Sequence, residues 1–166
     1  APFADIVQRL DEIPGIAPVA AAAIIAEIGV DMSRFPTPAN LSSWAKFAPR
    51  IAASAGKTKG SASSGHGNKY LARALGEVAV NAGRTSTFLG ARYHRIAKRR
   101  GSRRAVVAVG RSILVIIWHL LADPGVAYRD LGKDHYDRHR DTEAAKRQHV
   151  RQLEALGFKV TIHQAT

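Results

Sequence analysis

Residues 105–122, AVVAVGRSILVIIWHLLA, are the most apolar stretch of this 166-residue chain, and whatever fold the chain adopts has to cover them. The run is long enough to cross a bilayer, but Arg111 and His119 interrupt it. A charge inside a lipid-facing segment is expensive, so the stretch reads as a buried core helix, expected over 103–122 with Ile113 and Trp118 inside. A chain of this length can build one real core around such a helix. There is no cysteine, which excludes disulfides and thiolate metal sites. The sequence shows no signal-peptide pattern, and the expected protein is soluble, without a membrane partner, and intracellular.

The remainder reads as helices cut to length by proline and glycine. Phe3, Ile6, Val7 and Leu10 follow helical spacing. Ile13-Pro14-Gly15-Ile16 is a turn; Pro18 suits the first position of a helix over 19–28 that stops at Gly29. A connection over 32–36 follows, then a helix from Pro38 through Leu41, Trp44 and Phe47, halted by Pro49. Asn68 can cap a helix over 69–81, and another is expected over 87–100. Asp123-Pro124-Gly125 ends the apolar helix. Beyond it come a charged linker over 128–140, a helix over 142–156 and an alternating segment, Phe158 to Ile162, expected as a short C-terminal strand. The expected class is mainly α: a helical core over 1–127 with an extension over 128–166. Residues 1–10 already read as the interior of a helical region, which points to a fragment of a larger protein, although an N-terminal Ala also follows from simple loss of Met.

Between Pro49 and Gly67 the chain runs PRIAASAGKTKGSASSGHG, with no acid and almost nothing to bury. A connection this long in a compact domain is usually functional or disordered. Glycine and serine leave backbone N–H groups free to face a ligand, and the lysines add positive charge. The charge distribution singles out the same region. From Arg50 to Arg111 fourteen Lys and Arg stand against one acid, Glu77, for +13, while the flanks carry −2 and +1, which gives the chain its net +12. A field of one sign is what a polyanion binder carries, and nucleic acid is the expected partner. Lys69 and Arg73 fall on one helical face beside the loop; Arg92, Arg95 and Arg99 form a second stripe with Tyr93 available for stacking, and Arg103 continues it. Arg50, Lys57 and Lys59 lie on the loop itself.

Four loop serines, Ser54, Ser61, Ser63 and Ser64, have the small neighbours and nearby cations that a nucleophile attacking phosphate needs; composition does not choose among them, and each could equally be a solvated turn residue. Ile13-Pro14-Gly15-Ile16-Ala17-Pro18 resembles a helix-hairpin-helix element, which presents backbone N–H groups to a DNA phosphate. Ala17 stands where a second glycine is usual, and a plain helix–helix turn is the alternative. His135 and His139 have the i, i+4 spacing of a helical metal pair, but no third ligand accompanies them, and no metal site is expected in this chain. Metal-assisted strand cleavage needs clustered carboxylates, and the basic region offers only Glu77, so acids for such chemistry would have to come from elsewhere.

Taken in order, Ile13-Pro-Gly-Ile…Ala26-Glu-Ile-Gly29, Phe35-Pro…Leu41-Ser-Ser-Trp44-Ala…Ala48-Pro49, Ser54-Ala-Gly56-Lys57, Gly67-Asn68-Lys-Tyr70-Leu-Ala-Arg73-Ala-Leu75, Ala91-Arg92-Tyr93 and Ile113-Leu-Val-Ile-Ile-Trp118-His-Leu120 resemble the C-terminal transposase domain of the IS-one-ten type of bacterial insertion-sequence transposases. The resemblance spans about residues 10–162. It implies DNA recombination guided by a bridge RNA, in the bacterial cytoplasm, by an oligomer of the full-length protein. It also implies an N-terminal RuvC-like domain whose acidic residues bind magnesium at a composite site, with no cofactor held by this chain alone. In that family a serine in a Ser-x-Gly-Lys context attacks DNA to form a phosphoserine link, and Ser54 is the matching position, with Lys57 and Arg73 expected beside it. The chain departs from the pattern at Ala17 and at Ala55, where a second glycine is common. A helical DNA- or RNA-binding module without chemistry is the alternative reading.

Overall fold

The computed structural model describes residues 3–48, 53–54, 57–58, 67–138 and 142–163. It is mainly helical: α1 (Ala4–Asp11), α2 (Pro18–Ile28), a 3-10 turn (Met32–Arg34), α3 (Pro38–Trp44), α4 (Lys69–Ala82), α5 (Phe88–Arg100), α6 (Ser102–Ala122), α7 (His135–Arg138) and α8 (Thr142–Ala155). A two-stranded ladder, β1 (Ala53–Ser54) with β2 (Lys57–Thr58), stands between α3 and α4. The chain divides into two compact units, Ala1–Lys133 and Asp134–Thr166.

The first unit is organised around α6. Ala105, Val109, Ile113 and Ile117 recur every fourth residue, with Gly110, Leu114 and Leu120 beside them, and all are buried. That stripe receives α1, α3, α4, α5 and the 3-10 turn. Among the described residues α6 is also the one helix long and apolar enough to cross a membrane by length and composition, yet Arg111 on it is exposed. Leu10, Ile24, Ile28, Leu41, Leu71, Leu75 and Leu89 complete the core, each side chain contributing about 1.5–3 kcal/mol through burial. Trp118, expected inside, is only half-buried; its indole Nε1–H donates to the Phe35 carbonyl at 2.8 Å, tying α6 to the end of the 3-10 turn.

Capping follows the chemistry of each start. Thr37 and Thr87 accept backbone N–H groups of α3 and α5 through their side chains. The Asn68 side-chain oxygen accepts from both Tyr70 N–H and Leu71 N–H at the start of α4. Asp31 caps the 3-10 turn by accepting from Ser33, and this contact holds its carboxyl below the usual carboxylate range. The Pro14-Gly15 hairpin presses on α4. Gly15 has φ +91°, and a Cβ there would stand 2.5 Å from the Ala82 nitrogen and the Val78 oxygen. Only glycine allows both the left-handed backbone and this approach.

One expectation needs correction, and one segment gains anchors. At the start of the linker over 128–140, Tyr128 is half-buried and Asp130 accepts Phe88 N–H at 3.0 Å, capping α5 from outside. Arg9 holds the residues just before it, donating to the Asp123 and Val126 carbonyls at 3.2 and 2.6 Å. In the second unit, residues 158–163 form no strand. The alternation from Phe158 to Ile162 has no partner strand among the described residues, and an isolated strand has no ladder to satisfy its backbone.

Candidate nucleic-acid interface

The basic segment departs from and returns to one place. A Cβ on Gly67 would stand 2.9 Å from Cγ of Lys46 and 3.0 Å from the Ala45 carbonyl, so the two feet of the segment are in contact. Each foot is anchored to the core. Next to Lys46, the buried Phe47 ring lies against the backbone of α6 at Gly110. Next to Gly67, Asn68 caps α4 and its side-chain amide donates to the Glu27 carboxylate of α2.

Between these feet along the chain lies the ladder, whose register sets Ser54 opposite Lys57 and Ala53 opposite Thr58. Directly opposed residues of an antiparallel pair have Cα atoms roughly 4.5–5.5 Å apart. The pairing was not legible beforehand, since two residues a side, without alternation or aromatic content, give no strand signal. Arg50, Lys59, Ser61, Ser63 and Ser64 lie outside the described residues, as does most of the segment between Pro49 and Gly67.

On α4, Lys69 and Arg73 sit in the first two turns, beside the Gly67 foot. The Lys69 ammonium lies 5.0 Å from the centroid of the Tyr70 ring. Arg73 Nε donates to Glu77 at 3.0 Å, so the single acid of the basic stretch is spent on Arg73. Both side chains are well exposed, and an exposed i, i+4 pair is worth only about 0.3–0.5 kcal/mol, too little to keep Arg73 from a phosphate.

A second cluster forms where α5 turns into α6. Lys98, Arg99 and Arg100 end α5, Arg103 and Arg104 begin α6, and all five are exposed. Cations suit the negative end of the α5 dipole; those in the first turn of α6 oppose the positive end of its dipole. Helix stability therefore does not account for Arg103 and Arg104, and no described acid pairs with them. Gly76 of α4 lies against Val106 of α6, at 4.0 Å from a Cβ placed on the glycine. Arg73 and Arg103 are thus each about one turn from the same helix crossing, and the two basic groups flank it.

The stripe expected on α5 is uneven. Arg95 and Arg99 are exposed, while Arg92 is half-buried. Tyr93, expected as a stacking surface, is turned to internal packing instead: its ring covers Gly83, where a Cβ would stand 2.8 Å from Cδ1. Tyr70 is the aromatic that composition passed over, 62% exposed at the start of α4. In the hairpin before α2, Gly15 faces α4, while Ala17 and Pro18 stay exposed and Val19 is 83% exposed. His139 lies outside the described residues, and no three His, Asp or Glu side chains come together among those described. Among the described residues, then, no set of donors for a magnesium ion is gathered in one place.

No curated protein and no solved structure matches the chain. A family model does: Transposase IS116/IS110/IS902 family, over residues 7–95. The matched region runs from α1 to the middle of α5 and contains the anchored loop, Lys69, Arg73, Arg92 and Arg95. With more than half of its length matched, this chain belongs to the IS116/IS110/IS902 family of transposases.

Proposed function

We propose that this chain is the serine-bearing, nucleic-acid-binding part of a transposase that cuts and rejoins DNA through a covalent phosphoserine link, with Ser54 as the nucleophile. The observation that carries the reading is the register of the ladder: Ser54 stands opposite Lys57, on a segment whose two feet are fixed to the core, inside the family-matched region. An attacking group has to be held within a fraction of an ångström of its target, and a loop anchored at both ends supplies that positioning.

The step is a transesterification. The Ser54 hydroxyl oxygen forms a bond to a backbone phosphorus, the bond from that phosphorus to a deoxyribose oxygen breaks, and the serine proton leaves to a base. The released sugar oxygen takes a proton and departs as a hydroxyl. One phosphoester replaces another, so the energy of the cut bond is kept, and attack by a sugar hydroxyl on the phosphoserine rejoins DNA. Lys57, with Arg50, Lys59, Lys69 and Arg73, carries charge toward the phosphate oxygens, where developing negative charge is stabilised. Arg92, Arg95, Arg99 and Arg103 hold flanking phosphates and set register without reading sequence.

The family resemblance further suggests a RuvC-like domain that brings magnesium-binding acids, a guide RNA and further subunits as partners. The test joins this chain to such a domain and supplies magnesium, guide RNA and DNA. A protein–DNA species that survives denaturing electrophoresis is expected, and it is lost in Ser54→Ala with DNA binding unchanged. Adduct formation that persists in Ser54→Ala removes Ser54 from the role. If no loop serine matters, the chain is a binding module without chemistry.

A further inference from the structure

Two exposed aromatic rings stand at the feet of the basic segment. Trp44 is the last residue of α3, two positions before Lys46, and is 41% exposed; Tyr70 is in the first turn of α4, three positions after Gly67, and is 62% exposed. Because Lys46 and Gly67 touch, the two rings belong to one locality. The chain's other tryptophan shows what a structural role looks like: the Trp118 indole N–H donates to a backbone carbonyl, and its ring packs against the core. Trp44 has no acceptor for its indole N–H among the described residues, and its ring lies against that of Phe35, tilted at 57° with centroids 5.4 Å apart. Tyr70 carries the Lys69 ammonium over its face and leaves most of its surface exposed.

Exposed rings, one of them under a lysine ammonium, next to a loop rich in cations, have the chemistry that takes unpaired nucleotides. Cations track the phosphates, and each base lays its face on a ring. Duplex bases are already stacked on one another and offer no face to such a ring. We infer that Trp44 and Tyr70 form a stacking platform for unpaired nucleotides at the feet of the Ser54 segment. The platform selects a strand locally opened there over an intact duplex. This rests on the nucleic-acid reading above, and the test separates the two.

Binding is measured by fluorescence anisotropy with a single-stranded DNA, a single-stranded RNA of the same base sequence and the corresponding DNA duplex. Wild type, Tyr70→Ala, Tyr70→Phe and Trp44→Phe are compared. Tyr70→Ala is expected to weaken binding to at least one single strand by about tenfold or more, with the duplex changed less than about twofold. The strand that loses affinity identifies the one held. Tyr70→Phe keeps the ring and is expected to restore binding, which a loss of fold would not allow. Addition of that strand is expected to quench tryptophan emission in wild type and not in Trp44→Phe. Equal loss on single strand and duplex, or no loss on either single strand, overturns the platform while leaving phosphate binding intact. Failure of wild type to bind any of the three overturns the nucleic-acid reading itself, and the platform with it.

Discussion

The ring of Phe47 rests on bare backbone at Gly110, where a Cβ would stand 2.5 Å from its Cε1 and 2.9 Å from its Cδ1. This contact seats the first foot of the basic segment on the central helix, and it sets two effects against each other. Alanine at a helix interior is worth about 1 kcal/mol over glycine, whereas overpacking a buried site costs about 1–3 kcal/mol. Phe47 is only 7% exposed, so Gly110→Ala is expected to destabilise by about 1–2 kcal/mol net. Urea unfolding monitored by circular dichroism checks this; an unchanged or raised midpoint shows that the ring yields.

The second foot is tested at Asn68, which serves α4 and α2 at once. Asn68→Ala removes the acceptor for two N–H groups and leaves Glu27 without its donor. A loss of about 1–2 kcal/mol is expected by the same unfolding assay. Asn68→Asp keeps the cap acceptor but sets a carboxylate against Glu27, so it is expected to recover only part of alanine's loss.

Burial pushes the Tyr128 phenol up to about 12, with the Asp130 carboxylate adding to the shift. A phenol whose folded value is raised favours folding below its unfolded value near 10, and that contribution fades as pH climbs through the folded value. Absorbance at the tyrosinate band should show one tyrosine ionising about two units late, and Tyr128→Phe should remove that step and flatten the stability loss between pH 10 and 12. Titration of all four tyrosines together near 10 contradicts the buried placement.

Each phosphate neutralised contributes about 0.9 to the slope of log K against log salt on duplex DNA. Arg99→Ala with Arg103→Ala at the α5–α6 corner should lower the slope by about 1.8, with little change in stability because both side chains are exposed. A slope unchanged by the double substitution places the phosphates elsewhere.

Most of the helical architecture was legible because proline, glycine and capping residues mark the ends that tertiary packing then keeps. Asn68 at the start of α4 and Gly29 at the end of α2 both stand where the sequence placed them. What escaped depended on contacts between distant residues. The strap formed by Tyr128 and Asp130 reads as linker because its anchors, Arg9 and Phe88, are far away in the chain. The C-terminal alternation reads as strand, but periodicity cannot supply a partner. Tyr93 and Tyr70 are indistinguishable by composition, and only the packing against Gly83 assigns one inward and leaves the other out. The touching feet of the basic segment were invisible for the same reason, although the residues between them had already drawn attention by charge.

Whether Ser54 takes the DNA phosphate can be read from the mass of one peptide. Trypsin cuts after Arg50 and Lys57, so residues 51–57, IAASAGK, form a peptide in which Ser54 is the sole hydroxyl residue, while Ser61, Ser63 and Ser64 fall together in residues 60–69. The covalent species formed by the assembled transposase is digested with nuclease and then trypsin, and the peptides are weighed by mass spectrometry. A nucleotide mass is expected on residues 51–57. The same mass on residues 60–69, or on no peptide of the basic segment, removes Ser54 from the role.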